Sequence, residues 1–203
     1  ALMTYAEGLP ALAEQARGAG HELMVHMPMQ PIDAEYDAGI KVLTVGLARE
    51  QLLERLTWGL ERFPGYVGIN NHMGSRFTAD AAGMATVMAE LKRRGLMLLD
   101  YKNVGFSASR QAAVPVVAGD ACIDHEQEPA YIAAQLRTLE ELARRRGYAI
   151  GIGHPHAVTL DGLERWMPEA RARGISFVPI SAILDLQERS LAARSDGSQA
   201  EVN

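Results

Sequence analysis

Short apolar runs alternate with helix-length stretches along almost the whole chain. In the first such stretch, Leu9, Leu12, Ala13 and Ala16 recur at helical spacing and define one apolar face. The same pattern predicts strands over residues 1–4, 22–26, 66–70, 96–100, 114–118, 148–152 and 175–180. It predicts helices over residues 9–19, 47–62, 78–94 and 129–146, a helix from Thr159 or Asp161 to Arg173, and a short helix from Ser181.

Turn residues set the limits of these elements. Pro64 and Gly65 end the second helix, Gly95 and Gly147 follow two others, and Thr78 is in the position of a helix cap. The longer connections, over residues 30–44 and 102–113, are predicted to be loops. We expect residues 1–189 to form one domain and the polar residues 190–203 to form a flexible tail.

Strands that alternate with helices predict an α/β fold with a mostly parallel sheet, because a parallel connection needs a crossover of helical length. The glycine-rich motifs that bind nucleotide phosphates, GxGxxG and GxxxxGK[ST], do not occur. Seven predicted strands without such a turn favour a (β/α) barrel over a dinucleotide-binding fold.

Composition narrows the range of partners. The chain has 203 residues and a formal net charge of −5, which argues against nucleic acid as a main partner. It contains no long uncharged apolar run, so a transmembrane segment is not predicted, and no signal peptide is visible. Cys122 is the single cysteine and is predicted to be a small buried residue beside the strand at residues 148–152.

Histidines concentrate where the predicted strands end. The segment Gly68 to Ser75 reads GINNHMGS and places His72 among Asn70, Asn71 and Ser75. We interpret His72 as a metal ligand or an acid–base group, and the alternative is a histidine that bridges two loops. Asn70, Asn71 and Ser75 suit the orientation of an imidazole or the binding of a substrate hydroxyl.

Two further histidines occupy equivalent positions. His26 precedes Met-Pro-Met at the end of a strand, and His154 lies between Gly153 and Pro155. Both are predicted to be functional, as ligands or as a general acid, and the role of His156 is more ambiguous. The carboxylates that follow strands, Asp100, Asp120 and Asp124, could bind metal, act as a base, orient a histidine or serve only as turn residues.

A mixed set of histidine and aspartate without a cysteine cluster suits a hydrolytic divalent metal such as zinc, manganese or iron. Such an ion lowers the pKa of water and polarises a carbonyl group, while a carboxylate and an imidazole move protons. The sequence therefore predicts a metal-assisted hydrolase before any family is considered.

Four segments together resemble the divergent polysaccharide deacetylase family, in the expected order along the chain: GHELMVHMPM from Gly20, GINNHMGS from Gly68, GIGHP from Gly151 and VPIS from Val178. The resemblance implies a distorted (β/α) barrel and a zinc-dependent enzyme that removes acetyl groups from N-acetylated glycans.

It also implies roles for single residues. His26 and His72 would bind the metal, and His154 would be the general acid. Beside these implied roles, our own expectation is that Asp100 or Asp120 orients a histidine or acts as the base, and that Asn70, Asn71 and Ser75 position the glycan. A periplasmic or cell-envelope location is also implied. The family's next metal ligand falls four residues after His26, where this chain has Gln30.

The chain departs from the family at its beginning. The family opens with a strand that ends in Asp-Asp, whereas residues 1–6 resemble the family's second strand. We therefore expect a barrel that lacks its first strand. The alternative functions are a catalytically inactive glycan-binding or scaffold protein on the same fold, and a barrel hydrolase that acts on other amides or on phosphate esters. The sequence does not predict an oligomeric state.

Overall fold

The computed structural model describes residues 1–101, 113–187 and 189. The chain divides into an N-terminal unit, Ala1–Val117, and a C-terminal unit, Ala118–Asn203. Of the predicted segments, residues 102–112 and the tail at 190–203 lie outside the described residues, so the loop that contains Ser107 and Ser109 and the flexible tail stay predictions.

The N-terminal unit alternates strands and helices in the predicted order. Its elements are β1 (Leu2–Met3), α1 (Leu9–Gly18), β2 (Leu23–Met29), α2 (Arg49–Leu60), β3 (Tyr66–Met73), a 3-10 turn (Phe77–Ala79), α3 (Ala81–Arg94), β4 (Met97–Asp100) and β5 (Val116–Ala118). The five strands form one sheet in the order β1-β2-β3-β4-β5, and the β1–β2, β2–β3 and β3–β4 pairs are parallel. The prediction of an α/β fold with a parallel sheet is confirmed.

Consecutive strand order is the winding of (β/α) barrels, whereas doubly wound sheets reverse direction at a switch point. The strands of the described residues form this sheet and a separate two-stranded sheet. Closure into a distorted barrel therefore stays a prediction.

The two faces of this sheet differ in chemistry. Val25, Met27 and Ile69 belong to a buried core that they share with apolar side chains of α1, α2 and α3. Side chains alternate along a strand, so His26 projects from the opposite face. The register pairs His26 with Asn70, which shares that face. The helices thus cover one face of the sheet, and the polar residues lie on the other.

Strands β2 and β3 are longer than predicted. They end at Met29 and Met73, three residues beyond the predicted limits of residues 26 and 70. Pro28 is tolerated inside β2 because its backbone groups face the loop and not β3. Its carbonyl accepts a hydrogen bond from Leu43 N at 2.9 Å, and the nitrogen of a strand residue lies on the same side as its carbonyl, so β3 loses no donor. The extension puts His72 inside β3, opposite Pro28.

The C-terminal unit consists of β6 (Ala121–Cys122), α4 (Pro129–Arg146), β7 (Gly151–Ile152), α5 (Ala157–Ala172) and a helical segment over residues 180–187. Strands β6 and β7 are parallel, with Cys122 opposite Ile152. The prediction for α4 is confirmed at both ends, where Pro129 opens the helix and Gly147 closes it with a φ of 85°.

The predicted strand at residues 175–180 is wrong. Residues 175–179 have no regular structure, and Ile180 begins the last helical segment. After α5 the chain turns back, with Ile175 N donating to Ala170 O at 3.0 Å. Phe177 then contacts Trp166 of α5, with ring centroids 5.4 Å apart. Phe177 thus meets a helix face instead of a neighbouring strand, and Val178 is exposed. Conversely, strand β6 was not predicted from the sequence, because it follows Gly119 and Asp120, which are typical of a turn.

Two predicted helix caps are also corrected. Asp80, not Thr78, caps α3 and accepts hydrogen bonds from the N–H groups of Ala82 and Gly83. Thr78 is buried and donates its hydroxyl to Gly74 O at 2.8 Å. Helix α5 begins at Ala157, ahead of both predicted cap residues, Thr159 and Asp161, and His156 is in its cap position. Within the described residues, no helix is long and apolar enough to cross a membrane.

Candidate functional site

Two histidines meet on the polar face of the N-terminal sheet. His26 Nε2 and His72 Nδ1 lie 3.1 Å apart, and the two rings pack edge to face with centroids 4.9 Å apart. On its other nitrogen, His26 Nδ1 lies 2.9 Å from Asn70 Oδ1. A carboxamide oxygen accepts only, so Nδ1 carries the proton and Nε2 keeps its lone pair. His26, Asn70 and His72, which were singled out from the sequence, are thus adjacent, and their joint role stays a prediction.

The histidine pair fits a divalent metal. Two nitrogens bound tetrahedrally to one zinc at Zn–N distances of ~2.0–2.1 Å are about 3.3 Å apart, close to the observed 3.1 Å. Histidine ligands commonly donate their second N–H to an oxygen, which fixes the tautomer and the ring orientation. Asn70 provides that oxygen for His26, and it is largely buried, with 8% exposure.

The turn after β3 is held by its own polar side chains. Asn71 donates its carboxamide N–H to Met73 O at 2.7 Å. Met73 has a φ of 56°, unusual for a residue with a side chain, and Gly74 follows with a φ of 89°. Ser75 Oγ accepts a hydrogen bond from Ile32 N at 2.9 Å. The predicted substrate residues Asn71 and Ser75 thus both have local structural contacts.

Gln30 joins three parts of the site. Its carboxamide oxygen accepts from Val45 N at 2.9 Å, and its backbone N–H donates to Leu43 O at 2.9 Å. Its carbonyl accepts from the N–H groups of Arg76 and Phe77, both at 3.1 Å. In the position where the resemblance implies a metal ligand, this chain therefore has a residue that anchors the loop after β2 to the segment after β3.

Two of the predicted carboxylates differ in their surroundings. Asp100 is the last residue of β4, is only 3% exposed and directly follows Leu99, the register partner of Asn70. Asp120 binds Arg146 Nη1 through one oxygen at 2.5 Å and accepts from Ile150 N through the other at 2.8 Å. These contacts give Asp120 a structural role between the end of α4 and the residues before β7.

The carboxylate that binds His154 is Asp124. Its Oδ1 lies 3.0 Å from His154 Nδ1, and its Oδ2 accepts from His154 N at 2.5 Å and from Thr159 Oγ1 at 3.0 Å. The thiol of Cys122 lies 3.4 Å from Oδ1. The Asp124 side chain is fully buried, whereas the His154 side chain is 54% exposed. The histidine is therefore fixed on its Nδ1 side and open to solvent.

The electrostatics of this cluster follow from its hydrogen bonds. Burial raises the pKa of Asp124, but the bonds from His154, Thr159 and Cys122 outweigh it, so the pKa of Asp124 is below its usual value. Burial is the largest cause of the raised pKa of the Cys122 thiol. A carboxylate that stays ionised beside Nδ1–H holds His154 in the tautomer whose Nε2 faces outward.

A second set of metal-ligating atoms lies in the same cluster. Cys122 Sγ, a carboxylate oxygen of Asp124 and a ring nitrogen of His154 all lie within 4.8 Å of one another, and this is the one group of at least three such residues in the part of the chain that the structure describes. Sequence reasoning treated Cys122 as a packing residue and left Asp124 as one carboxylate among three. The available signal was their spacing of two residues at the end of a strand, although Asp124 itself lies in the turn after β6.

Comparison with known proteins places this geometry in a family. The uncharacterized protein YibQ of Escherichia coli (strain K12) is 34% identical over 178 residues, which cover 86% of this chain and 55% of that protein. An uncharacterized protein of Haemophilus influenzae is 32% identical over 165 residues, which cover 77% of this chain and 58% of that protein. The chain thus spans a little over half the length of these curated relatives.

A solved structure shows the same fold. The crystal structure of the uncharacterized protein ATU2773 from Agrobacterium tumefaciens C58 matches with a TM-score of 0.86 and 28% sequence identity, and the match covers 89% of this chain and 76% of that one. The sequence pattern of divergent polysaccharide deacetylases matches residues 1–184, almost the whole chain. This match shows that the chain belongs to the divergent polysaccharide deacetylase family.

Proposed function

We propose that this protein is a metal-dependent hydrolase that removes acetyl groups from an N-acetylated polysaccharide, such as a glycan of the cell envelope. The observation that carries the proposal is the histidine pair: His26 Nε2 and His72 Nδ1 lie 3.1 Å apart, and Asn70 sets the tautomer of His26. Family membership supports the same reaction class.

The proposed metal is zinc, with His26 and His72 as two of its ligands. Imidazole nitrogens are common zinc ligands. Zinc has no redox chemistry, and amide hydrolysis needs none. When bound, such an ion polarises the acetamide carbonyl and lowers the pKa of water. The protein's own part is to fix the His26 ring, since Asn70 accepts from His26 Nδ1–H and prevents that ring from flipping.

The acid role belongs to His154. Amide hydrolysis expels an amine, which must gain a proton as the C–N bond breaks. His154 donates Nδ1–H to Asp124, so the outward Nε2 is the atom that would carry and deliver that proton. The buried Asp124 carboxylate holds the ring through Nδ1, so that Nε2 stays directed outward for this transfer. This assignment replaces Asp120 by Asp124 as the residue that orients the histidine.

The remaining roles are assigned by position. Asp100 is proposed as the base that takes a proton from water, because it is a buried carboxylate at the carboxyl end of β4, the edge where parallel strands present catalytic groups. Ser75 is proposed to contact the sugar, since a hydroxyl that accepts from Ile32 N–H keeps its own proton to donate. Asn70 and Asn71 are proposed to act on substrate indirectly, through His26 and through the Met73 turn.

A second candidate function has one specific observation in its favour. Gln30, where the family resemblance implies a metal ligand, has its carboxamide oxygen bound to Val45 N–H. A site with one ligand fewer would hold metal less tightly, and the protein would then be a glycan-binding or scaffold protein on the same fold. The two candidates differ in whether metal is needed for acetate release.

The test measures bound zinc and acetate release from chitin or peptidoglycan oligomers, with the full-length protein and zinc supplied. The hydrolase predicts acetate release that stops after chelation and returns with zinc. It also predicts loss of activity in H26A and H72A but not in H21A, which changes an exposed histidine outside the pair. Glycan binding that survives chelation, together with no acetate at any zinc concentration, would establish the binding protein instead.

A further inference from the structure

We propose that Cys122, Asp124 and His154 form a second metal site, which takes zinc or a similar thiol-binding divalent cation and, when filled, withdraws His154 from proton transfer. This site is separate from the His26–His72 pair in its ligands. Its existence does not depend on the proposed function, whereas its inhibitory effect does.

The two carboxylate oxygens of Asp124 make different contacts. Oδ2 is held by two donors, the backbone N–H of His154 and the hydroxyl of Thr159. Oδ1 faces the thiol of Cys122 and the Nδ1 of His154. The carboxylate is therefore fixed through one oxygen and presents the other to both remaining ligands. Metal ligands in proteins are commonly oriented in this way by hydrogen bonds behind them.

The distances suit a tetrahedral ion. With Zn–S ~2.3 Å, Zn–N ~2.0–2.1 Å and Zn–O ~2.0–2.2 Å, the sulfur–oxygen edge is about 3.6 Å and the nitrogen–oxygen edge about 3.4 Å. The corresponding distances here are 3.4 Å and 3.0 Å, and all three ligand atoms lie within 4.8 Å of one another. The first two edges differ from the tetrahedral values by a few tenths of an ångström, and the sulfur–nitrogen edge, about 3.5 Å around such an ion, lies within 4.8 Å here.

The ligand chemistry selects the class of cation. A thiolate favours zinc, cadmium and cobalt over magnesium and calcium, which prefer oxygen ligands. Binding releases the thiol proton of Cys122 to solvent and moves the imidazole proton of His154 from Nδ1 to Nε2, so that Nδ1 becomes the ligand. The His154 side chain is 54% exposed, which lets an ion approach and leaves its fourth position to water.

Occupancy of this site changes what His154 can do. A ring bound to a cation through Nδ1 no longer has its hydrogen bond to Asp124, and it cannot hold a second proton while it stays bound. If the proposed hydrolase is correct, activity should therefore rise as zinc fills the histidine pair and fall again at higher zinc. If zinc bound only at the histidine pair, activity would rise with zinc concentration and then stay constant.

The binding test uses cobalt(II) as a spectroscopic probe on the whole chain. Thiolate ligation gives a charge-transfer band in the near ultraviolet, and Cys122 is the only cysteine, so the band reports this site alone. We expect the band in the wild type and in the H26A/H72A double variant, its absence in C122S, and at least tenfold weaker binding in H154Q. H125A, which removes the exposed histidine next to Asp124, is the matched control and should keep the band.

Absence of the band in the wild type, or equal cobalt affinity in H154Q and the wild type, would overturn the site. So would loss of the band in H26A/H72A. These readouts need no hydrolysis, so they separate this inference from the proposed function. Where acetate release is measurable, each protein's rate is compared with its own maximum. The wild-type rate should fall at least several-fold between low and high zinc, and the C122S rate should not fall.

Discussion

Asp124 binds His154 twice, through Nδ1 of the ring at 3.0 Å and through the backbone N–H at 2.5 Å. The two contacts go to different oxygens of one buried carboxylate. The position of the main chain and the orientation of the ring are therefore set by the same group. A change at Asp124 should alter the tautomer of His154 even where the fold survives.

The variant D124N tests this coupling. A carboxamide can present its NH2 group to Nδ1, which lets the imidazole place its proton on Nε2 instead. We expect the imidazole nitrogen chemical shifts of His154 to report a changed tautomer population, and acetate release to fall about 10²- to 10⁴-fold, the usual contribution of a general acid. D120N is the matched control, because Asp120 binds Arg146 and Ile150. Unchanged His154 shifts in D124N would contradict the assignment.

The orientation of His26 by Asn70 leads to a second prediction. N70A removes the oxygen that accepts from His26 Nδ1–H, and loss of such a contact typically costs about 10- to 100-fold in metal affinity. Zinc affinity would be measured by competition with a chromophoric chelator in the C122S background, so that the second site does not contribute. N71A removes an amide that donates to Met73 O in the turn after β3, and it should change affinity less than about threefold. Equal effects of the two variants would show that Asn70 does not orient the ligand.

The sequence predicted those elements whose signals are local. Helix α4 carries its own start and stop, Pro129 and Gly147, so its limits were predicted correctly. The apolar run at residues 175–180 was predicted as a strand, because periodicity cannot show whether a partner strand or a helix face will cover it. Here Phe177 meets Trp166. Tertiary contacts, not periodicity, decide the structure of that run, and Phe177 and Val178 stay exposed in it.

Some residues of the candidate site could be predicted from local sequence signals, and others could not. His26 and His72 could be predicted because both follow apolar runs, and the carboxyl ends of parallel strands share one edge. The partner of His154 could not, because Asp100, Asp120 and Asp124 all come after strands. The pairing of β6 with β7, Cys122 opposite Ile152, decides which of them reaches His154. Strand register is a long-range property that one sequence does not display.

The ion pairs of Glu140 predict a pH dependence of stability. Hydrogen bonds from Arg173 and Arg144 lower the pKa of Glu140 from 4.5 to about 2. Because this pKa is lower in the folded state, the stabilisation is fully present above pH 4.5 and is lost as the pH falls toward about 2. E140Q should lower the free energy of unfolding by about 1 kcal/mol near neutral pH, a modest value because both arginines are about half exposed.

Urea denaturation of E140Q and the wild type across that pH range checks the prediction, and the difference between them should shrink toward zero at the acid end. E141Q changes the neighbouring exposed glutamate on the same helix and should match the wild type throughout. A difference that grows on acidification would have the wrong sign for a lowered pKa.

Two hydrogen bonds between a side chain and the backbone help to hold the loop after β2, and each can be removed separately. Ser75 Oγ accepts from Ile32 N, and Gln30 Oε1 accepts from Val45 N, both at 2.9 Å. S75A should speed hydrogen exchange at the Ile32 amide and leave Val45 unchanged, while Q30A should do the reverse. One hydrogen bond contributes about 0.5–1.5 kcal/mol net, so roughly two- to tenfold faster exchange is expected at the affected amide.

Each variant is thus the control for the other. Faster exchange at both amides in both variants would mean that the loop opens as one unit and that neither bond acts locally. The expected result would show that Gln30 serves the loop, which explains why a residue that cannot ligate zinc well occupies the fourth position after His26. It would also predict that Q30H fails to strengthen zinc binding, because the new imidazole would replace an anchor of the loop.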